Sequence, residues 1–189
     1  MNFDQRIAEW INHNRFRSLD QFFIIFTDSA SLVAYSIPVL FLIYAFMKKN
    51  RLLRINGLQM LSSILLNTVL VTVIKNIVKR QRPYEMDNLI DKLTGGGGFS
   101  FPSGHTADAF VIATAVTLLL KRNRWLLVPL WIWALMVGYS RIMLGVHYLS
   151  DVAASMLIGS FCAIIIHLFF RNVRHQQIEK NNQYGRKMA

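Results

Sequence analysis

Residues 152–170 read VAASMLIGSFCAIIIHLFF, a run without a single Asp, Glu, Lys or Arg. The hydrocarbon core of a bilayer is about 30 Å thick and takes roughly 20 apolar residues of helix to cross. Two other runs have the same character, SASLVAYSIPVLFLIYAFM at residues 29–47 and INGLQMLSSILLNTVLVTVI at residues 55–74. Each run predicts a membrane-spanning helix, and together they decide the fold class.

Two shorter apolar runs complete the pattern, TADAFVIATAVTLLL at residues 106–120 and WLLVPLWIWALMVGY at residues 125–139. Each run can be extended by a turn of small residues, the first run at its N-terminal end and the second at its C-terminal end, where polar segments described below adjoin them. With 53% hydrophobic and 16% charged residues in a chain of 189, the composition is not that of an ordinary soluble domain. The sequence predicts an all-α integral membrane bundle of about five transmembrane helices.

The N-terminus adds one more helical pattern, because Phe3, Ile7, Trp10 and Ile11 recur at helical spacing. This pattern predicts a short amphipathic helix that lies on the membrane surface or, alternatively, packs as a solvated helix on neighbouring loops. We expect residues 1–170 to form one membrane-embedded domain. Residues 171–189 are expected to form a basic, disordered cytoplasmic tail.

The net charge of +11 is distributed between the apolar runs and is not gathered on one soluble face, which argues against nucleic acid as a partner. The link KKNRLLR at residues 48–54 has four cations and no acid, and KRNR at residues 121–124 has three cations. By the positive-inside rule these links and the tail face the cytoplasm. The links at 75–101 and 140–151 then lie together on the extracytoplasmic side of a cytoplasmic (inner) membrane, as does the N-terminus.

Three polar segments lie in these two outer links, and the first is KNIVKRQRP at residues 75–83. If the helix continues, Lys75, Lys79 and Arg82 fall on one face at offsets of four and seven. Basic residues on the outer side conflict with the charge rule unless they serve a site. Taken alone, the segment also fits interfacial anchors whose charged ends reach the headgroups.

The second segment, TGGGGFSFPSGH at residues 94–105, joins a glycine run to a helix start. Ser103 is a favoured N-cap, so the backbone N–H groups of Ser103, Gly104 and His105 can face an anion. A plain capped helix start is the alternative. The four glycines, 95–98, either let residues 99–105 fold closely over a lipid headgroup or move when a substrate enters from the bilayer, or they form only a flexible connector.

The third segment is YSRIMLGVHYLSD at residues 139–151, where the four-residue spacing puts His147 and Asp151 on one helical face. A carboxylate that accepts from one ring nitrogen fixes the tautomer and leaves the other nitrogen as a nucleophile or base. Arg141 adds a planar donor fork that suits phosphate. A His and an Asp at this spacing also occur by chance, so the pair alone is a weak signal.

The three segments together are a stronger signal, because they place cations, anion-ready amides, two histidines and one carboxylate on the same side of the membrane. Such a set suits phosphoryl transfer, with one histidine attacking and the other protonating the leaving oxygen. A carrier of a phosphorylated lipid would need the cations but not His105, His147 and Asp151 together. The residues therefore favour an enzyme over a non-catalytic binding or transport protein.

The order and spacing of the segments resemble the three-part signature of the type 2 phosphatidic acid phosphatase (PAP2) superfamily. The matching positions are Lys75-x6-Arg82-Pro83, Pro102-Ser103-Gly104-His105 and Ser140-Arg141-x5-His147-x3-Asp151. The resemblance implies that His147 attacks phosphorus and that Asp151 holds the His147 ring. It implies that His105 protonates the leaving group and then activates water. It also implies that Lys75, Arg82, Ser103, Gly104 and Arg141 bind the phosphate, and that no metal ion or other cofactor is needed.

The resemblance implies a membrane lipid phosphate as the substrate. The leading candidate is undecaprenyl diphosphate, by analogy with compact members of the family. The other candidates are phosphatidylglycerol phosphate, phosphatidic acid and the phosphates of lipid A.

Overall fold

The computed structural model of the chain describes residues 2–120 and 124–187, and these residues form helices without any strand. The helices are α1 (Phe3–His13), α2 (Asp20–Met47), α3 (Arg51–Val78), α4 (Pro83–Met86), α5 (Gly104–Leu119), α6 (Val128–Met143) and α7 (Leu149–Lys187). Short 3₁₀ turns precede α2 and α6, at Arg17–Leu19 and Arg124–Leu127. The all-α prediction is confirmed.

Three helical stretches among the described residues have the length and apolar composition to cross a membrane: Arg17–Met47, Arg51–Met86 and Leu149–Asn181. The other two apolar helices, α5 and α6, are shorter. Helix α5 is the centre of the bundle and packs against α2, α3, α6 and α7. Every residue from Thr106 to Ala115 is buried as a consequence. The predicted helical membrane bundle is thus confirmed.

Large apolar side chains point outward from the bundle. Leu32 on α2 is 71% exposed and Leu157 on α7 is 73% exposed. In water such a surface would be unfavourable, whereas in lipid the outward apolar side chains need no cover. The exposed apolar surface supports the same membrane placement as the hydropathy of the helices.

Helices α5 and α7 approach closely because small residues line their contact. A Cβ built at Gly159 of α7 would lie 2.4 Å from the carbonyl oxygen of Ala107 and 2.9 Å from the amide nitrogen of Val111, both on α5. Close backbone approach at small residues is typical of helix packing in membranes. This contact packs the third turn of α7 against the first two turns of α5.

The amphipathic helix predicted at the N-terminus is α1. Asn2 and Gln5 form a capping box at its start, so the helix has a defined first turn. Its inner face buries Ala8 and Asn12, whereas Phe3 and Trp10 are 70% and 68% exposed. The helix packs against α4, α6 and α7, at the end of the bundle where α3 ends and α5 begins.

Two regions differ from what the sequence indicated. Helix α7 continues through residues 171–187, which were expected to be disordered; the segment lacks proline, and pairs four residues apart such as His175 with Glu179 support the helix. Helix α3 ends at Val78, and Lys79 adopts a left-handed conformation with φ of 50°. Lys75, Lys79 and Arg82 therefore do not share one helical face, because the chain turns between them.

Candidate active site

The three predicted segments meet at one end of the bundle. The guanidinium of Arg82, after α3, donates to the carbonyl of Val146 before α7 at 2.9 Å. The amide of Ser103, at the start of α5, donates to the Ser155 hydroxyl on α7 at 2.7 Å. These bonds join residues far apart in sequence. The three segments therefore lie at the same end of the helical bundle.

His147 and Asp151 form the buried centre of this region. Asp151 Oδ2 lies 3.5 Å from His147 Nδ1, and the two side chains are 0% and 2% exposed respectively. The same oxygen accepts hydrogen bonds from the Ser100 hydroxyl at 2.5 Å and from the Tyr148 amide at 2.9 Å. This oxygen is therefore held by two hydrogen-bond donors in addition to the His147 ring.

The pair does not lie on one helical face as its spacing predicted. His147 precedes α7, and Asp151 lies in the first turn of that helix. The turn before His147 contains Gly145 with φ of 77°, where a Cβ would lie 2.3 Å from the Asp91 carbonyl oxygen. A glycine is required there by both conformation and space. The turn brings the imidazole back onto the helix start.

Burial lowers the pKa of His147 to about 3, while the hydrogen bond to Asp151 acts in the opposite direction and the charge of Arg141 adds to the lowering. The imidazole is thus neutral at physiological pH. With Nδ1 directed at the carboxylate, the lone pair of a neutral ring lies on Nε2. That is the protonation state a histidine nucleophile requires.

Arg80 is a residue of the site to which the sequence pattern gave no role. Its Nη1 donates to Asp151 Oδ1 at 2.6 Å, and its Nη2 donates to Asp4 Oδ2 at 2.7 Å. The guanidinium also lies 3.9 Å from the centroid of the Tyr148 ring. Arg80 thereby donates a hydrogen bond to the Asp151 oxygen that does not face His147. The only feature of the sequence that could have indicated a role for Arg80 was its position in a basic segment.

Helix α1 is attached to this site by polar contacts. Asp4 accepts from the amide of Ser150 at 3.0 Å and also from the Ser150 hydroxyl. Farther along α1, Asn12 Nδ2 donates to the Met143 carbonyl at 2.8 Å and to the Asp91 carbonyl at 3.0 Å. Arg15 then pairs with Asp91 at 2.7 Å. The N-terminal helix is therefore part of the scaffold around Asp151.

The glycine run surrounds the two buried arginines. Arg82 donates from Nε to the Gly98 carbonyl and from Nη2 to the Gly97 carbonyl, both at 2.9 Å. Arg141 donates from Nη1 to the Thr27 hydroxyl at 3.0 Å and from Nη2 to the Gly95 carbonyl at 3.5 Å. The run thus supplies backbone acceptors that orient guanidinium groups.

Two of the four glycines stand at positions that restrict a side chain, one by its contact with Arg82 and the other by its backbone conformation. A Cβ at Gly96 would lie 2.8 Å from Arg82 Nη1, and Gly98 has φ of 66°, which side chains other than glycine rarely adopt. At Gly95 and Gly97 an added Cβ would meet no heavy atom within 4 Å. A flexible connector would not need this close approach at Gly96.

The remaining predicted residues also gather here. His105, in the first turn of α5, lies close enough to Lys75, Arg82 and Arg141 to be affected by their charges. Its Nε2 lies 3.9 Å from Asp28 Oδ1 of α2, a carboxylate that the sequence did not assign to the site. The two histidines therefore border one cluster of cations.

The start of α5 partly matches its prediction. The Ser103 amide is already bonded to Ser155, and the Ser103 hydroxyl lies 2.9 Å from the hydroxyl of Thr106, so this residue is engaged within the protein. The Ser103 side chain accepts no capping hydrogen bond from the first turn of α5. The first amides of the helix, including that of Gly104, are therefore not capped by Ser103. A Cβ at Gly104 would meet no heavy atom within 4 Å. The helix start thus faces open space, where an anion can approach.

Metal ligands do not gather in this region: in the described ranges 2–120 and 124–187, no group of three or more His, Cys, Asp or Glu side chains is placed to hold a metal ion. The chemistry available to these side chains is nucleophilic attack by a neutral imidazole, proton transfer by a second one, and stabilisation of negative charge by Lys75, Arg82 and Arg141.

Comparison with known proteins agrees with this site. The sequence profile of the PAP2 superfamily matches residues 56–175, which span all three segments. The chain belongs to the PAP2 superfamily. Its named relatives are phosphatases, which makes it a phosphate ester hydrolase of the membrane.

Two curated relatives and one solved structure illustrate the relationship. The undecaprenyl-diphosphatase of Sulfolobus acidocaldarius is 30% identical over 87% of this chain and 77% of that protein. The lipid A 4'-phosphatase of Bacteroides thetaiotaomicron is 38% identical over 47% of this chain, which spans only 41% of that relative. The crystal structure of Aquifex aeolicus LpxE superposes with a TM-score of 0.73 at 30% identity and covers 88% of this chain and 95% of LpxE.

Proposed function

We propose that the protein hydrolyses a lipid phosphate or diphosphate through a phosphohistidine intermediate on His147. The observation that carries the proposal is the neutral, buried His147 whose Nδ1 is directed at Asp151, beside a cluster of three cations. A carrier of phosphorylated lipid, the alternative class, needs the cations but has no use for an imidazole held by a carboxylate.

In the first step His147 Nε2 attacks phosphorus, and the bond from phosphorus to the leaving oxygen breaks with its electron pair. His105 supplies the proton that this oxygen takes up. In the second step His105 accepts a proton from water, whose oxygen attacks phosphorus and breaks the bond to nitrogen. Phosphate leaves and both histidines return to their starting states, without a metal ion or other cofactor in either step.

Lys75, Arg82, Arg141 and the amide of Gly104 bind the phosphoryl oxygens in this proposal. Charge-assisted hydrogen bonds of this kind are stronger than neutral ones and stabilise the charge that develops in the transition state. Ser103 also belongs to this group, through its hydroxyl, once that hydroxyl turns from Thr106.

Undecaprenyl diphosphate is the substrate we propose first, because the relative with that activity in its name aligns with 87% of the chain. Lipid A is the second candidate, supported by the 38% identity to a lipid A 4'-phosphatase over a shorter region. Phosphatidylglycerol phosphate and phosphatidic acid complete the panel to be tested. The partner in every case is a lipid phosphate delivered from the bilayer.

For orientation we propose the cytoplasmic (inner) membrane, with the active site on the extracytoplasmic side. The basic links at 48–54 and 121–124 and the segment 171–189 would then face the cytoplasm. The membrane-embedded domain is residues 1–170. Single cysteines at Asn50 and Asn88 test this placement: an impermeant thiol reagent applied from outside is expected to label position 88 and not position 50, and the reverse pattern would overturn it.

The experiment for the function is phosphate release by purified protein in detergent from each of the four lipids, with and without EDTA. We expect release that resists EDTA, with undecaprenyl diphosphate the fastest. His147→Ala should abolish release and leave binding of the lipid intact. Release that persists in His147→Ala contradicts the proposed nucleophile, and lipid binding without release by the unaltered protein would establish the carrier.

A further inference from the structure

A second polar cluster lies at the end of the bundle opposite the active site. It is formed by the start of α3, the end of α5 and the part of α7 beyond Phe170. Arg174 lies on the same helix as Asp151 and 23 positions farther along, which corresponds to roughly 34 Å at about 1.5 Å per residue. The hydrocarbon core of a bilayer is about 30 Å thick. The cluster is therefore at the level of the other membrane surface.

The cluster borders a cavity of about 340 Å³ between these three helices. One wall is basic and comes from Arg171, Arg174 and His175 of α7. The facing walls are apolar, apart from Asn56 of α3, and include Leu118 and Leu119 of α5. A cavity with cations on one side and leucines on the other matches a ligand that has a charged head and an apolar body.

Within the described part of the chain, no carboxylate forms an ion pair with Arg171 or Arg174 of this cavity. Arg174 lies against an imidazole and an amide, with Nη2 3.0 Å from His167 Nε2 and Nη1 3.4 Å from Gln59 Oε1. Every Asp and Glu side chain lies in the described part of the chain, and among them Glu179 approaches this wall, at 3.5 Å from the His175 ring. A partly buried guanidinium without a carboxylate favours an anion from outside.

Asn56 provides an independent indication of a ligand. Its side-chain oxygen is buried and has no hydrogen-bond partner among the described residues, although the residue lines the cavity. Leaving a buried acceptor unpaired costs about 1–3 kcal/mol. A hydroxyl group of a headgroup glycerol would satisfy this oxygen, while its phosphate would take the guanidinium groups.

An apolar groove continues from the cavity along α5 and α6. It measures about 900 Å³, shares Leu118 with the basic cavity, and is bordered by Trp131 of α6 and by His167. Its walls are mainly leucine, isoleucine, valine and tryptophan side chains. An acyl chain can therefore lie in the groove while the headgroup of the same molecule occupies the cavity.

We propose that this cavity binds the phosphate of an anionic phospholipid, with Arg171 and Arg174 as the phosphate ligands and the groove as the seat of an acyl chain. Basic pockets between helices at a membrane surface are typical sites for anionic headgroups. The bound lipid would hold α3, α5 and α7 together at the end far from the catalytic residues. The site is separate from the one that carries the proposed reaction.

The test compares the double variant Arg171→Gln/Arg174→Gln with Arg51→Gln/Lys180→Gln, which removes the same charge from exposed positions at the same end. Delipidated protein in detergent is titrated with phosphatidylglycerol, phosphatidylcholine or inorganic phosphate, and the melting temperature is followed. We expect phosphatidylglycerol to raise the melting temperature of the unaltered protein and of the Arg51/Lys180 variant. The Arg171/Arg174 variant should need roughly tenfold more lipid for the same rise.

Three results would overturn the proposal. An equal response to phosphatidylglycerol in both double variants would leave Arg171 and Arg174 as interfacial anchors only. An equal rise with phosphatidylcholine would show that the charge of the headgroup is irrelevant. An equal rise with inorganic phosphate would assign the cavity to a free anion and not to a lipid. Phosphate release from the substrate panel, measured on the same samples, reports separately on folding and on the proposed function.

Discussion

Arg80 and Asp151 are joined by a hydrogen-bonded ion pair of 2.6 Å at the base of the candidate active site. Asp151 is 0% exposed, so the charge of Arg80 acts on a carboxylate that is shielded from water. The pair holds one oxygen of Asp151 and leaves the other for His147. We infer that Arg80 positions Asp151, although Arg80 itself does not reach the reacting atoms.

Arg80→Ala should therefore lower kcat by roughly ten- to a hundredfold, because a misplaced catalytic group costs about that much. KM for the lipid should change little, since the phosphate ligands remain. Arg80→Lys, which keeps the charge without the planar fork, should recover part of the loss. Steady-state kinetics with the preferred lipid measures both constants.

Lys79→Asn is the matched control for Arg80. It removes a neighbouring cation at a left-handed position, φ of 50°, which asparagine tolerates. Activity in this variant should stay close to that of the unaltered protein. Equal losses in Lys79→Asn and Arg80→Ala would show that the total charge of the segment matters and not the contact with Asp151.

Gly96→Ala should reduce kcat/KM by roughly tenfold, because the new methyl group would lie 2.8 Å from Arg82 Nη1 and displace the guanidinium. Gly97→Ala adds the same methyl group where nothing lies within 4 Å. The two variants differ only in this contact. Hydrolysis assays on both variants distinguish two causes. A rate lowered only in Gly96→Ala indicates close packing against Arg82, whereas equal losses in both variants would indicate a general loss of loop mobility.

Gly159→Ala should destabilise the bundle by about 1–3 kcal/mol, the usual range for overpacking. The methyl group would meet the Ala107 carbonyl oxygen at 2.4 Å and force α7 away from α5. Leu157→Ala, on the outward side of the same helix at 73% exposure, serves as the control. Thermal unfolding in detergent gives the midpoint of each variant. An unchanged midpoint for Gly159→Ala would mean that α5 and α7 can move apart without loss of stability.

Stability should fall as the pH is lowered from 7 to 5. The pKa of His147 is about 3 in the folded protein, against 6.5 for an ordinary histidine, mainly through burial. Between these two values the unfolded chain binds a proton at this residue and the folded protein does not, so this contribution to stability is present above pH 6.5 and is lost as the pH falls toward 3.

His147→Gln isolates this contribution. The drop in melting temperature between pH 7 and pH 5 should be smaller in the variant than in the unaltered protein. This holds however much stability the substitution itself removes at pH 7. An identical drop in both would mean that His147 takes up its proton equally in the folded and unfolded chains. Parallel thermal scans at the two pH values give the comparison.

The helices were largely predictable because hydropathy over a span depends only on local sequence. The runs at 29–47, 55–74 and 152–170 lie inside α2, α3 and α7, and Ser103 is the residue before α5 as its N-cap character indicated. The end of α3 was not predictable in this way. Lys79 takes a left-handed conformation that is more usual for glycine or asparagine, so no residue marks the turn.

The site was predictable to the extent that its residues lie in compact motifs. The contact of Asp4 with Ser150 joins residues 146 positions apart, and nothing in either local sequence indicates it. Arg80 likewise becomes distinguishable from Lys79 only when the turn after α3 directs its side chain toward Asp151. Long-range polar contacts of this kind depend on the packing of the whole bundle, which local patterns do not encode.

The partners of Arg82 and Arg141 have a consequence for the electrostatic potential of the site. The carbonyls of the glycine run and the hydroxyl of Thr27 hold these guanidinium groups in place without carrying a formal charge. A carboxylate in the same positions would neutralise each arginine and compete with a phosphoryl group for it. Orientation by dipoles avoids this direct neutralisation and leaves positive potential available to an arriving anion.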